Sequence, residues 1–226
     1  MTQATATASA RMTPVRLLAL AVPLVWALLL LFHPNPGGEA FESVSGVVDR
    51  WLFVHVGQLV LTPLLVLAVW RLLDGLPSRA ATVGRATAVV WAALFTAYDS
   101  IQGIAAGVLI RWADGALAGA EQAGVVRAVD YLVSDSRLAG NISAIGLVGN
   151  VAWVTVAIAA AVALSKAGVG KGAVIAACLS SLFVIHTAPA GIGLIAFAFA
   201  LFLREQRGAE PGIVARGASH TVKEAR

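Results

Sequence analysis

The sequence predicts an all-α protein built as a polytopic bundle of transmembrane helices. Of its 226 residues, 59% are hydrophobic and only 12% are charged, and the mean hydropathy is +0.85. A soluble domain is about 45–50% apolar and about 25% charged, so the composition argues against a soluble enzyme, a nucleic-acid-binding protein and a disordered chain. Several apolar runs also approach or exceed the roughly 20 residues that a membrane-spanning helix needs.

Six spans follow from these apolar runs. The first run lacks a small-residue cleavage site, so we expect an uncleaved span rather than a signal peptide. The final stretch, 172–203, carries no charge and as one helix would far exceed the roughly 30 Å hydrocarbon core. A turn near Pro189 is expected to divide it, and a single long helix kinked at Pro189 is the alternative. The predicted spans are 16–33, 51–73, 86–110, 140–164, 172–187 and 191–204.

The basic residues predict the orientation of these spans. Cytoplasmic connections of membrane proteins are enriched in Lys and Arg, and alternate connections of this chain hold 12 of the 16 basic residues. We therefore expect both termini in the cytoplasm and the chain in the inner, or plasma, membrane of a bacterium. The residues assigned to the cytoplasmic side are Arg11, Arg16, Arg71, Arg79, Arg85, Lys166, Lys171, Arg204, Arg207, Arg216, Lys223 and Arg226.

Three segments lie outside the predicted spans and have distinct compositions. The outer segment 113–138 places apolar residues at helical spacing, which predicts a short amphipathic helix on the outer surface or capping the bundle. A plain connecting helix and a lid over a pocket are the alternatives. The polar segments 1–13 and 206–226 flank the helical domain 14–205 and are expected to be disordered.

Polar side chains gather in the outer half of the predicted bundle. Asp99 is the one acidic residue well inside a predicted span, and a carboxyl group there must be protonated, paired or open to water. Helical spacing places Gln102 on the same face as Asp99, and His55 on the same face as Gln58. The sequence predicts an outward-facing pocket, and interhelical hydrogen bonds that only stabilise the bundle are the alternative. Its candidate residues are His33, His55, Gln58, Asp99, Gln102, Asn150 and His186.

Three functions remain open from the sequence. The first is a non-enzymatic membrane protein, in contact with the lipid bilayer, whose pocket binds a small ligand or a membrane-protein partner. The second is a proton-linked transporter with Asp99 as the titrating group. The third is a metal- or haem-dependent enzyme that uses the histidines. No motif requires a cofactor or marks a metal site or catalytic residue, so the sequence does not indicate an enzyme, and no nucleic-acid partner is expected.

One segment carries a resemblance, which concerns architecture alone. It runs Tyr98-Asp99-Ser100-Ile101-Gln102-Gly103-Ile104-Ala105-Ala106-Gly107 in the third span. With the six runs and the long connection after this span, the chain resembles small six-span integral membrane proteins of unknown function from high-GC, actinobacterial-like bacteria. The resemblance implies the helical bundle, and it implies no activity and no site residue.

Overall fold

The computed structural model describes residues 13–34, 39–133, 136–184 and 188–208, and within them every regular element is helical. In α7 the side chains of residues 136–144 are outside the description. The elements are α1 (Pro14–Leu30), α2 (Ala40–Ser45), α3 (Val48–Leu72), α4 (Arg79–Asp99), a π segment (Ser100–Ala105), α5 (Ala106–Ala116), α6 (Gly119–Val133), α7 (Ser136–Lys166), α8 (Lys171–Leu179), a 3-10 turn (Ser180–Val184) and α9 (Ala188–Gly208).

Local sequence determines where two of the helices begin. The Thr13 hydroxyl accepts a hydrogen bond from the Arg16 backbone N–H at 3.4 Å, and Pro14 occupies the first helical position of α1. The Ser78 hydroxyl accepts from the Ala81 N–H at 3.1 Å at the start of α4. Each cap satisfies one of the N–H groups that a helix start leaves unpaired.

The helices alternate in direction and pack into a closed ring. In the described part of the chain, α1, α3, the α4–α5 rod, α7, α8 and α9 each contact the next, and α9 contacts α1. One end of the ring contains Arg16, Arg71 and Glu205, and we call it the basic end. The other end contains His33 and His55, and we call it the histidine end. The described chain therefore begins and finishes at the same end of the bundle.

The last apolar run folds back on itself, so the alternative of a single long helix kinked at Pro189 is wrong. Gly172 near the start of α8 lies against Leu203 near the end of α9. At the opposite end of the pair, Gly193 lies so close to the backbone of Phe183 that an added Cβ would be 2.4 Å from the Phe183 nitrogen. These two contacts require antiparallel helices, and glycine at position 193 permits their close approach.

Four helices are long and apolar enough to cross a membrane by length and composition: Val48–Leu72, Arg79–Ala116, Ile145–Lys166 and Pro189–Arg207. Pro14–Leu30 and Lys171–Val184 are apolar but shorter. Helices therefore occupy all six predicted apolar runs. That the two shorter helices also cross the membrane stays a prediction. The predicted boundaries shift: α1 ends before His33, and the predicted span 86–110 lies within a longer rod. The predicted terminal segments fall almost entirely outside the described residues.

Large aromatic rings occupy the centre of the ring of helices. Trp26, Trp91 and Phe183 meet with ring centroids 5.2 to 6.0 Å apart, and Phe95 and Trp153 complete the cluster. Aromatic pairs at these separations favour tilted and edge-to-face contacts, as found here. The outer surface of the bundle, by contrast, exposes many Leu, Val, Ile and Phe side chains. An apolar exterior of this extent is typical of helices that face lipid.

A smaller apolar cluster covers the histidine end of the bundle. It joins Phe41 and Val44 of α2 to Ile110 of α5 and Val129 of α6. The Asp130 carboxylate accepts a hydrogen bond from the Phe41 N–H at 3.0 Å, which ties α6 to the start of α2. The segment predicted as one amphipathic helix over 113–138 is divided in the structure. Residues up to Ala116 continue α5, and a new helix begins at Gly119, whose positive φ of 61° favours glycine.

Charged side chains fasten three helices together at the basic end. Glu205 of α9 binds Arg16 of α1, with Nε and Oε2 3.0 Å apart, and Arg71 of α3, with Nε and Oε1 2.8 Å apart. The Glu205 side chain is only 10% exposed. Arg71 also pairs with Asp74 at 2.9 Å, but the Asp74 side chain is 63% exposed. Water screens the second pair far more than the first.

Glu205→Gln should therefore destabilise the protein more than Asp74→Asn. The first substitution removes the buried carboxylate that Arg16 and Arg71 share and leaves Arg71 only the exposed Asp74, at a cost of about 1–3 kcal/mol. The second removes an exposed pair, which contributes under about 1 kcal/mol. Thermal unfolding of both purified variants in the same detergent measures the difference. Equal midpoints would show that Glu205 does not hold the ring closed.

Candidate functional site

The rod that contains Asp99 is not a uniform α-helix. Ser100–Ala105 forms a π segment between α4 and α5. Such segments are rare, occur mostly as single turns inside α-helices and are frequent at functional sites. Asp99 lies immediately before this segment and is 2% exposed. The irregular turn therefore begins at the one acidic residue in the middle of the rod.

His55 and Asp99 face each other across the contact between α3 and the rod. The His55 Nε2 and Asp99 Oδ1 are 3.9 Å apart, and both side chains are buried. Among the described residues the second carboxyl oxygen, Oδ2, has no hydrogen-bond partner. A buried carboxyl group with an unsatisfied oxygen is costly to maintain. The site therefore has unused capacity for a proton, a water molecule or a ligand donor.

Trp51 fixes the orientation of the His55 ring. The His55 Nδ1 lies 2.8 Å from the Trp51 carbonyl oxygen, one turn earlier in α3. Because a carbonyl only accepts, Nδ1 must carry a hydrogen, and Nε2 is left facing Asp99. When the pair takes up one proton, it is either a neutral imidazole beside a carboxylic acid or an imidazolium beside a carboxylate, and the position of that proton distinguishes these two forms.

Gly103 allows the two helices to approach this closely. A Cβ at position 103 would lie 2.0 Å from the Cδ2 atom of His55, so a larger residue cannot share the space. The indole N–H of Trp51 donates to the Gly103 carbonyl oxygen at 2.7 Å. A π segment alters the regular pairing of helix carbonyls, and Trp51 supplies a donor from the neighbouring helix.

His33 extends the site toward the end of the bundle. Its ring centroid is 5.0 Å from that of His55 and 5.4 Å from that of Trp51. Trp51 and His55 are themselves 4.3 Å apart, centroid to centroid. The structure thus brings His33, His55 and Asp99 to one end of the bundle, with Trp51 among them.

Gln58 and Asn150 lie at a second position, nearer the aromatic centre. Both line a small central cavity together with Trp26. Gln58 is 1% exposed, and its Oε1 has no hydrogen-bond partner among the described residues. Its backbone carbonyl accepts from the Thr62 hydroxyl at 2.7 Å. The sequence grouped Gln58 and Asn150 with the histidines, and the structure places them beside the tryptophans.

Gln102 makes a contact that the regular helical spacing did not indicate. Its amide donates to the Leu132 carbonyl of α6 at 3.2 Å, which anchors the covering helix to the π segment. His186, the remaining candidate, lies outside the described residues. In the described part of the chain, no group of three or more His, Cys, Asp or Glu residues is arranged to hold a metal ion.

Trp51 and Gly103 were not among the candidate residues from the sequence, although both shape the site. The spacing of Trp51, His55 and Gln58, at i, i+4 and i+7, places them on one face of α3, so a signal for Trp51 was present. No protein-family model, curated protein or solved structure matches the chain significantly. The site must therefore be interpreted from its own chemistry.

Gly103→Ala should disrupt the site. The added methyl group would collide with the His55 ring, separate it from Asp99 and cost about 1–3 kcal/mol through overpacking. Gly124→Ala is the matched control, because no atom lies within 4 Å of a Cβ at that helical position, and it should be neutral or stabilising by under about 1 kcal/mol. Thermal unfolding and the histidine NMR signals report the two effects. A Gly103→Ala protein indistinguishable from the control would contradict the close packing.

Proposed function

We propose that the protein is a proton-linked carrier of a small molecule in the inner membrane, with the His55–Asp99 pair as its proton site. The observation that carries the proposal is the buried pair itself, 3.9 Å apart, with an unsatisfied carboxyl oxygen. An ionisable group at this depth in a membrane helix typically marks an ion or proton pathway. A pair that can gain and release one proton has the chemistry that a proton pathway needs.

The π segment supports a role that involves movement. Carriers commonly interrupt a helix at the substrate or ion site, because irregular backbone offers polar groups and a place to bend. Here the interruption begins directly after Asp99 and lies against His55. Protonation at Asp99 would change the charge at the point where the rod is least regular. This is a local electrostatic change at an element that has an alternative, α-helical geometry.

We propose six membrane crossings, with the basic end of the bundle in the cytoplasm. The described chain begins and finishes at that end, where Arg16, Arg71, Arg204 and Arg207 gather. The histidine end has the acidic Glu42 and Asp49 and fewer described basic residues, which are Arg50, Arg111 and Arg127. This distribution follows the tendency of Lys and Arg to remain on the cytoplasmic side. The His55–Asp99 pair would then lie nearer the outer surface.

Cysteine labelling tests this orientation. The native Cys178 is first replaced, Cys178→Ala, and Glu121→Cys or Arg79→Cys is then introduced. Glu121 is exposed on α6 at the histidine end, and Arg79 begins α4 at the basic end. A membrane-impermeant maleimide added to intact spheroplasts should modify the first variant and leave the second unmodified until the cells are lysed. The reverse pattern would invert the proposed orientation, and labelling of both sites would refute the membrane barrier between them.

The proton site is tested by Asp99→Asn, which keeps the shape of the side chain but cannot ionise. Infrared difference spectra of the wild-type protein between acidic and alkaline buffer should contain a carboxyl C=O band that this substitution removes. In proteoliposomes loaded with a pH dye, wild-type protein should move protons with a transported solute, and Asp99→Asn should not.

Asp114→Asn is the matched control, since Asp114 lies later in the same rod and is exposed. It should leave both the infrared band and the flux unchanged. If Asp99→Asn retains full proton-linked flux, the carrier proposal is wrong. His55→Gln should alter the infrared band without removing it, because the carboxyl group remains while its partner changes.

A further inference from the structure

A cavity of about 240 Å³ lies between α4 and α7, apart from the His55–Asp99 pair. Trp91, Phe95 and Tyr98 of α4 form one wall, and residues from Ile145 to Asn150 of α7 contribute the other. It shares Trp91, Phe95 and Asn150 with the central cavity beside Trp26 and Gln58, which has a volume of about 20 Å³. The two cavities are therefore neighbours, and the smaller, inner one lies beside Trp26 and Gln58.

The size and position of the cavity restrict its occupant. An apolar cavity of about 150 Å³ holds benzene, so this space suits one ring or two fused rings. Leu147, which is 63% exposed on the apolar surface of the bundle, stands at its edge. A molecule entering past Leu147 in a membrane would come from the lipid. These features favour a lipid-soluble, planar occupant that stacks against the aromatic wall.

Buried polar atoms beside the smaller cavity lack hydrogen-bond partners among the described residues, and an aromatic hydrocarbon would not supply them. Trp26 is fully buried, and its indole N–H has no acceptor among the described residues. The Gln58 Oε1, an acceptor, has no donor among the described residues, and Asn150 lines both cavities. The inner cavity has room for about one water molecule. An oxygen on the occupant could accept from Asn150 directly and reach Trp26 directly or through that water.

The residues that line the two cavities indicate that the occupant is uncharged. Among the described lining residues none is charged, and the nearest carboxyl group in sequence, Asp99, faces His55 instead. An organic cation would gain ring contacts but would have no counter-charge at the cavity. A neutral molecule avoids that desolvation cost.

We infer that the cavity between α4 and α7 binds a neutral, lipid-soluble one- or two-ring molecule with ring carbonyl oxygens, the chemistry of a quinone headgroup. The ring lies against Trp91 and Phe95, and Asn150 donates to one carbonyl oxygen. The inference rests on the membrane placement in the proposed function, which supplies the lipid-side entrance. It does not rest on proton transfer at His55 and Asp99, and it includes no electron transfer.

The test measures binding of menadione to the purified full-length protein in nanodiscs, in a Cys178→Ser background. That background is needed because Cys178 is an exposed thiol and quinones react with thiols. Quenching of tryptophan fluorescence and a rise in the unfolding temperature are the two readouts, since a ligand that binds the folded state stabilises it. We expect saturable binding in both.

Asn150→Leu should weaken menadione binding roughly tenfold, the effect of losing one hydrogen bond. Thr155→Val is the matched control on the same helix, because the exposed Thr155 hydroxyl bonds only to its own helix, at the Val151 carbonyl 2.8 Å away. It should bind menadione as the wild type does. Methylnaphthalene, which has the rings without the oxygens, should bind more weakly than menadione.

The outcomes separate this inference from the proposed function. Asp99→Asn should retain menadione binding while it loses the infrared band and flux. A wild-type protein that binds no menadione saturably overturns the inference and leaves the carrier proposal intact. Equal affinity for methylnaphthalene, or tighter binding of tetraphenylphosphonium than of menadione, also overturns it, because either result would show that ring carbonyls are not recognised.

Discussion

The contact between the His55 ring and the backbone of Gly103 is the constraint on which the site depends. Position 103 has no room for a side chain, because a Cβ there would lie 2.0 Å from the imidazole. The same close approach places Trp51 within reach of the Gly103 carbonyl oxygen and His55 within reach of Asp99. In a bilayer, where water cannot satisfy stray polar groups, such mutual pairing decides which irregular backbone is tolerated.

The rest of the bundle holds these two helices in place from a distance. A cluster of aromatic rings fills the centre below the polar pair, and Glu205 joins α1, α3 and α9 at the opposite end. These two interactions differ in kind. The aromatic cluster stabilises the bundle through apolar contact area, and Glu205 stabilises it through ion pairs near the aqueous surface. The cavity of α4 and α7 lies on the other side of the aromatic cluster, toward Tyr98 and the histidine end, and there the packing is incomplete. The His55–Asp99 pair and the cavity thus both lie in the half of the bundle where close packing gives way to polar groups and open space.

The positions of the helices could be predicted from the sequence, because hydropathy is a local property of each apolar run. The turn near Pro189 was also predictable, since an uncharged run of that length exceeds the bilayer. The π segment was not, because the contact that accompanies it, from Trp51 to Gly103, joins residues far apart in the sequence. Gln102, within this segment, contacts Leu132 of α6, and regular helical spacing did not indicate that contact. Asp99 could be singled out from the sequence, because burying a carboxyl group in a membrane costs free energy. The indole N–H of Trp26, which has no acceptor among the described residues, could be identified only from the folded structure.

The closure of the ring by α9 has a consequence for how the protein is made. Helix α1 emerges from the ribosome before the other helices of the ring, but its partner on one side is α9, the last of the described helices. Until Glu205 is synthesised, Arg16 and Arg71 have no shared carboxylate to bind. The unfinished bundle therefore remains open along one seam in the membrane during translation, and a chain truncated before α9 would expose the aromatic centre to lipid or to other nascent helices.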